Sequence, residues 1–133
     1  MSTATDEPPG AAEWVGLALI CASSAASALL ELMYLSALYA GSVIVPVTVV
    51  VAIAGNLVLP RWGMSVVGTL RGAVLPFAAW LVVTLVPALY HRPEGDQFVL
   101  GSFGQNYAYY ALLLGGAITG FATIVVAGGR PPR

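Results

Sequence analysis

Four stretches of this chain are nearly free of charge, and they limit its fold more than any other feature. Residues 42–59 and 107–127 contain no Asp, Glu, Lys or Arg, while 14–35 contains only Glu31 and 70–90 only Arg71. Apolar runs of about 18 residues or more are the mark of helices that cross a bilayer. Composition points the same way. The chain has 133 residues, 59% hydrophobic and 8% charged, whereas a soluble domain carries about a quarter charged residues. At 1.5 Å per residue, spans of about 18–22 residues are about 27–33 Å long, which matches a hydrocarbon core of about 30 Å. A transmembrane barrel would need alternating apolar and polar residues, and "VIVPVTVVVAIAG" (residues 43–55) is apolar on every face. The expected fold is therefore all-α: four transmembrane helices in an up-down bundle, at about 14–35, 42–59, 70–90 and 107–127.

The flanks complete this organisation. Residues 1–13 are polar, acidic and Pro/Gly-containing and are expected to form a flexible cytoplasmic tail. Asp6, Glu7 and Glu13 stand where a signal peptide would be positive, so "ASSAASA" reads as small-residue helix packing rather than a cleavage site. Pro60, Arg61 and Trp62 are expected to end the second span, while Pro76 and Pro87 are expected to kink the third. Residues 129–133 form the second tail. The five arginines set the orientation. With four spans, Arg61, Arg71, Arg130 and Arg133 share one side and Arg92 lies on the other. The positive-inside rule then puts both termini in the cytoplasm, in a multi-pass protein of a bacterial cytoplasmic membrane.

Few residues are candidates for chemistry. Glu31, in "ALLELMYL", is the sole acidic residue within a span, and ionisable groups there are functional candidates by default. Counted from Trp14, it lies about 25 Å along its helix, toward the outer end. Three readings are open: an ion pair or hydrogen bond to Arg92 or His91, solvation at the interface, or proton coupling. Small four-helix multidrug exporters carry one Glu in their first helix, an analogy of type alone.

The densest polar stretch is "YHRPEGDQF" (residues 90–98), with His91, Arg92, Glu94 and Asp96. Pro93 and Gly95 mark it as a turn. One histidine with two carboxylates fits neither zinc spacing nor a calcium loop, so it is read as solvated charge or a partner surface, with no metal expected. Asn56 is read as a helix-packing amide. Gly68 with Gly72, Gly116 with Gly120, and Ala18, Ala22 and Ala26 are small-residue sets that let helices approach closely.

The single Cys21 excludes an internal disulfide. With no Lys and a net charge of -1, nothing favours nucleic-acid binding. No Ser/His/Asp set, Walker or dinucleotide motif, CxxC or HExxH occurs, so neither an enzyme nor a cofactor is expected.

The stretch from "GNLVLPRWG" through "LPFAAWLVV" to "RPEGD" resembles the central part of small four-helix membrane proteins of actinobacteria. That family carries no assigned activity, so the resemblance implies a fold and a host and no mechanism. The expected function is a non-enzymatic accessory or scaffold subunit that packs against a larger membrane complex or against itself. The alternative is a small proton-coupled transporter or channel-like oligomer using Glu31.

Overall fold

A computed structural model describes residues 8–34, 39–40, 43–44, 47–89 and 103–129. His91, Arg92, Glu94 and Asp96 lie outside the described residues, as do 1–7 and 130–133. The architecture is all-helical. Helix α1 spans Ala11–Met33, α2 Val47–Val67, α3 Leu70–Leu89 and α4 Phe103–Gly128. Between α1 and α2, β1 (Tyr39–Ala40) pairs antiparallel with β2 (Val43–Ile44), Tyr39 opposite Ile44. Helices α1, α2 and α4 are long and apolar enough to cross a membrane, and α3 is apolar over the shorter stretch Leu70–Val86.

Local chemistry explains the helix ends. Pro8 and Pro9 precede α1, and the Glu13 carboxylate accepts from the Gly10 backbone N–H at 2.8 Å. This satisfies an orphan donor and puts an anion at the positive end of the helix dipole. At the far end of α2, Gly68 has φ +70, and its N–H reaches the Met64 carbonyl at 2.8 Å. A left-handed residue of this kind ends a helix, and glycine adopts it without a Cβ penalty.

Two sequence expectations change here. Pro60 does not end the second helix: α2 begins at Val47, passes through Pro60 and continues to Val67. Proline removes one N–H and so frees one carbonyl, a loss that packed neighbours tolerate, and Pro60 is buried. Arg61 and Trp62 therefore belong to α2, and the α2–α3 connection is only Gly68 and Thr69. Nor do Gly68 and Gly72 form one small-residue seam. Gly68 is the turn, whereas Gly72 packs against Gly63, where a Cβ on either residue would collide with backbone of the other.

Successive helices run antiparallel. Gly16 meets Val66 and Gly55 meets Ser27, which sets α1 against α2; Gly120 meets Phe77 and Gly128 meets Leu70, which sets α4 against α3. The bundle is polar-inside. Leu114, Ile118, Phe121 and Val125 of α4 face outward, whereas Ser24, Glu31, Thr48, Asn56, Thr84 and Thr123 are buried with Ala28, Ala52, Trp80 and Leu112. That arrangement suits an apolar solvent, in which polar groups gain most by pairing with one another.

Candidate functional site

Glu31 closes the buried stripe of α1, made of Leu17, Ser24, Ala28 and Glu31 at intervals of seven, four and three residues. These spacings put the four residues on one helical face. Glu31 is only 3% exposed. Its carboxylate accepts from Trp80 Nε1 at 2.9 Å and from the Ser27 hydroxyl, one turn earlier, at 2.7 Å. Both partners are uncharged. A buried carboxylate in an apolar span is costly unless its oxygens are hydrogen-bonded, and these two donors provide one bond to each oxygen.

Trp80 is placed by α3 and α4 together. It is the eleventh residue of α3, about 15 Å from Leu70 at helical rise. Its ring fits against Gly116, where any Cβ would overlap ring atoms Cη2 and Cζ2. Gly120 makes the same room for Phe77, and the Phe77 and Trp80 rings stack at 6.4 Å. The two α4 glycines therefore receive aromatic rings of the same chain, and α4 stays close enough to hold the indole toward Glu31.

Two further bonds tie the α3 backbone to its neighbours. The Ser24 hydroxyl donates to the Pro76 carbonyl at 2.7 Å, and the Tyr109 hydroxyl to the Thr84 carbonyl at 2.7 Å. Thr84 in turn donates to the Trp80 carbonyl at 2.8 Å. The α3 segment that carries Trp80 is thus anchored to α1 on one side and to α4 on the other.

The site lies toward the end of the bundle that counting along α1 suggested: Glu31 stands two residues before the last residue of α1, and its pocket is lined by Val47, Thr48 and Val51 at the start of α2. The first turn of α1, Ala11–Val15, is exposed, and Gly16 is the residue that meets the end of α2 at Val66. Trp80 sits halfway along α3, so its indole links the middle of that helix to the last turn of α1.

On its other side Glu31 lines a pocket of about 240 Å³ between α1 and α2, with Leu30 and Tyr34 from α1 and Val47, Thr48 and Val51 from α2. A carboxyl group lining a mostly apolar pocket, with Ser27, Tyr34 and Thr48 beside it, can exchange a proton or hold a small cation. No group of three or more His, Cys, Asp or Glu forms among the described residues.

Asn56 is buried, and its amide donates to the Ala52 carbonyl of its own helix at 3.0 Å. Its Nδ2 faces Gly116, so it packs against α4 while its described hydrogen bond stays within α2. Sequence reasoning gave Trp80 no role and took Ser24 and Ser27 only as small packing residues of "ASSAASA"; Tyr109, which beside Tyr107 and Tyr110 reads as part of an interfacial aromatic belt, is instead buried. One signal was available: a tryptophan in the middle of a span needs a partner for its indole N–H, and Glu31 is the sole span carboxylate. Compared with known protein families, with characterised proteins and with solved structures, the chain matches none.

Proposed function

We propose that this chain is a small multi-pass carrier or channel-like oligomer of a bacterial cytoplasmic membrane, with Glu31 as the group that takes up a proton or a small apolar cation. One observation carries the reading. The only acidic side chain in a span is buried in the last turn of α1, held by two neutral donors and lining a pocket between α1 and α2. Among the described residues its carboxylate bonds to the neutral donors Trp80 and Ser27, while His91 and Arg92, the cations expected for a structural pairing, lie outside the described residues. All four helices cross the bilayer in this reading, α3 included. Arg61 and Arg71 share the end of the bundle at the α2–α3 turn, which supports cytoplasmic termini by the positive-inside rule.

The test is flux. Purified protein is reconstituted in vesicles holding a pH-sensitive dye, and a pH gradient is imposed with and without small apolar amines outside. Wild type is expected to dissipate the gradient faster than empty vesicles, and Glu31→Gln to match the empty vesicles. Equal rates for wild type and E31Q would sink the proposal.

A second reading, an accessory subunit or self-associating scaffold, is favoured by a different observation. Ala18, Ala22 and Ala26 are exposed along one side of α1, where a second helix can approach closely. Replacing Ala22 by Leu is expected to shift the protein to a smaller species in detergent if that side is in use, and an unchanged mass counts against it.

A further inference from the structure

At the end of the bundle remote from the Glu31 pocket, α2 and α4 part to form a cavity of about 740 Å³. Its wall combines Arg61, Met64 and Ser65 from α2 with Thr123, Val126 and Ala127 from α4. Arg61 stands six residues before the last residue of α2, about 9 Å inside the bundle end at helical rise. It is therefore a cation within a span rather than in a loop. The described acidic residues are Glu13 and Glu31, and their hydrogen bonds go to Gly10, Ser27 and Trp80. Among the described residues, then, no carboxylate answers Arg61.

Position and chemistry specify what would. An arginine at this depth lays its methylenes along apolar surface and turns its guanidinium toward the headgroup level. The planar fork of the guanidinium matches a phosphate with two parallel hydrogen bonds. The Ser65 and Thr123 hydroxyls, which donate to the Trp62 and Thr119 carbonyls, keep lone pairs that can accept from headgroup hydroxyls. Met64, Val126 and Ala127 offer an apolar wall for an acyl chain. Trp62, adjacent to Arg61 and exposed, is the residue type that settles at the lipid interface.

We infer that this cavity is a binding site for one anionic phospholipid, its phosphate on Arg61 and its acyl chain against α4. The inference rests on the chain crossing a membrane and not on the role given to Glu31. One arginine at an anionic lipid surface contributes about 1 kcal/mol, which corresponds to about a fivefold preference.

The full chain in mild detergent is equilibrated with vesicles of phosphatidylglycerol and phosphatidylcholine in equal amounts, delipidated gently, and its retained lipid counted by native mass spectrometry. Wild type is expected to retain phosphatidylglycerol about fivefold over phosphatidylcholine, and Arg61→Gln to bring the two to parity. Arg61→Lys, which keeps the charge and loses the fork, is expected to fall between and carries the test if R61Q does not fold. Arg71→Gln, in a separate depression with Leu70, Val74 and Leu75, is expected to keep the preference. So is E31Q, which separates this site from the carrier function. No preference in wild type, an unchanged preference in both Arg61 variants, or an equal loss in R71Q overturns the site. Displacement of the lipid by millimolar inorganic phosphate overturns the lipid as its occupant.

Discussion

Glycine does two different jobs in this bundle. At the α2–α3 seam, Gly63 and Gly72 bring backbone against backbone, and each would strike main-chain atoms if it carried a Cβ. At the α3–α4 seam, Gly116 and Gly120 make room for the Trp80 and Phe77 rings. A backbone contact cannot yield without moving a whole helix, whereas a ring can rotate or shift. The first seam therefore fixes the hairpin, and the second sets the position of a side chain that holds Glu31. Pro76 sharpens the contrast. It lacks the N–H that would have bonded the Gly72 carbonyl, and that freed carbonyl is the atom lying against Gly63.

The hardest test of this contrast is Gly72→Ala. Its Cβ would meet Gly63 and Met64 backbone, so it is expected to cost about 3 kcal/mol or more, at the upper end of overpacking. Thermal unfolding in detergent would read this directly, and a midpoint near wild type would remove the idea of a rigid seam. Gly116→Ala is expected to cost less, about 1–3 kcal/mol, because the Trp80 ring can shift. In a background with Trp14 and Trp62 replaced by Phe, Trp80 emission should then move as its indole leaves Glu31.

Coupling sharpens the comparison further. Trp80→Phe vacates the two ring atoms that Gly116 accommodates, so G116A should cost at least about 0.5 kcal/mol less in W80F than in wild type. Strict additivity would mean that the ring and the glycine do not depend on each other. The smallest effect is expected at Ser24→Ala, which removes one hydroxyl bond to the Pro76 carbonyl. Buried hydrogen bonds in membrane bundles average about 0.6 kcal/mol, so its midpoint should fall by only a degree or two. A collapse comparable to G72A would show that the α1–α3 contact, and not the glycine seam, holds the hairpin in place.

The number of helices and the apolar character of their outer faces were legible in the residues themselves. A run such as residues 107–127 has no charge to hydrate, and in an apolar solvent the backbone must bond to itself, so helix follows from composition alone. Glu31 was legible as a candidate for the same reason: it is costly where it stands. So was its place toward the far end of α1, two residues before Met33; its partner was not, because the Trp80 indole comes from another helix. Pro60 was read as a stop because proline breaks helices in water, yet the packed bundle carries α2 seven residues further, to Val67.

What the sequence by itself determined is the solvent this chain is built for and the periodicity with which it meets that solvent. Both depend on sums over many side chains, and such sums survive any rearrangement of partners. Only the tertiary structure decided that Glu31 is held by Trp80 and Ser27, that Gly68 is a turn while Gly72 is a seam, and that Arg61 lines a cavity. Each of these depends on which helix lies against which, residues 49 apart in the case of Glu31 and Trp80. A local pattern cannot encode that register, because the same small and polar residues would satisfy several alternative pairings equally well.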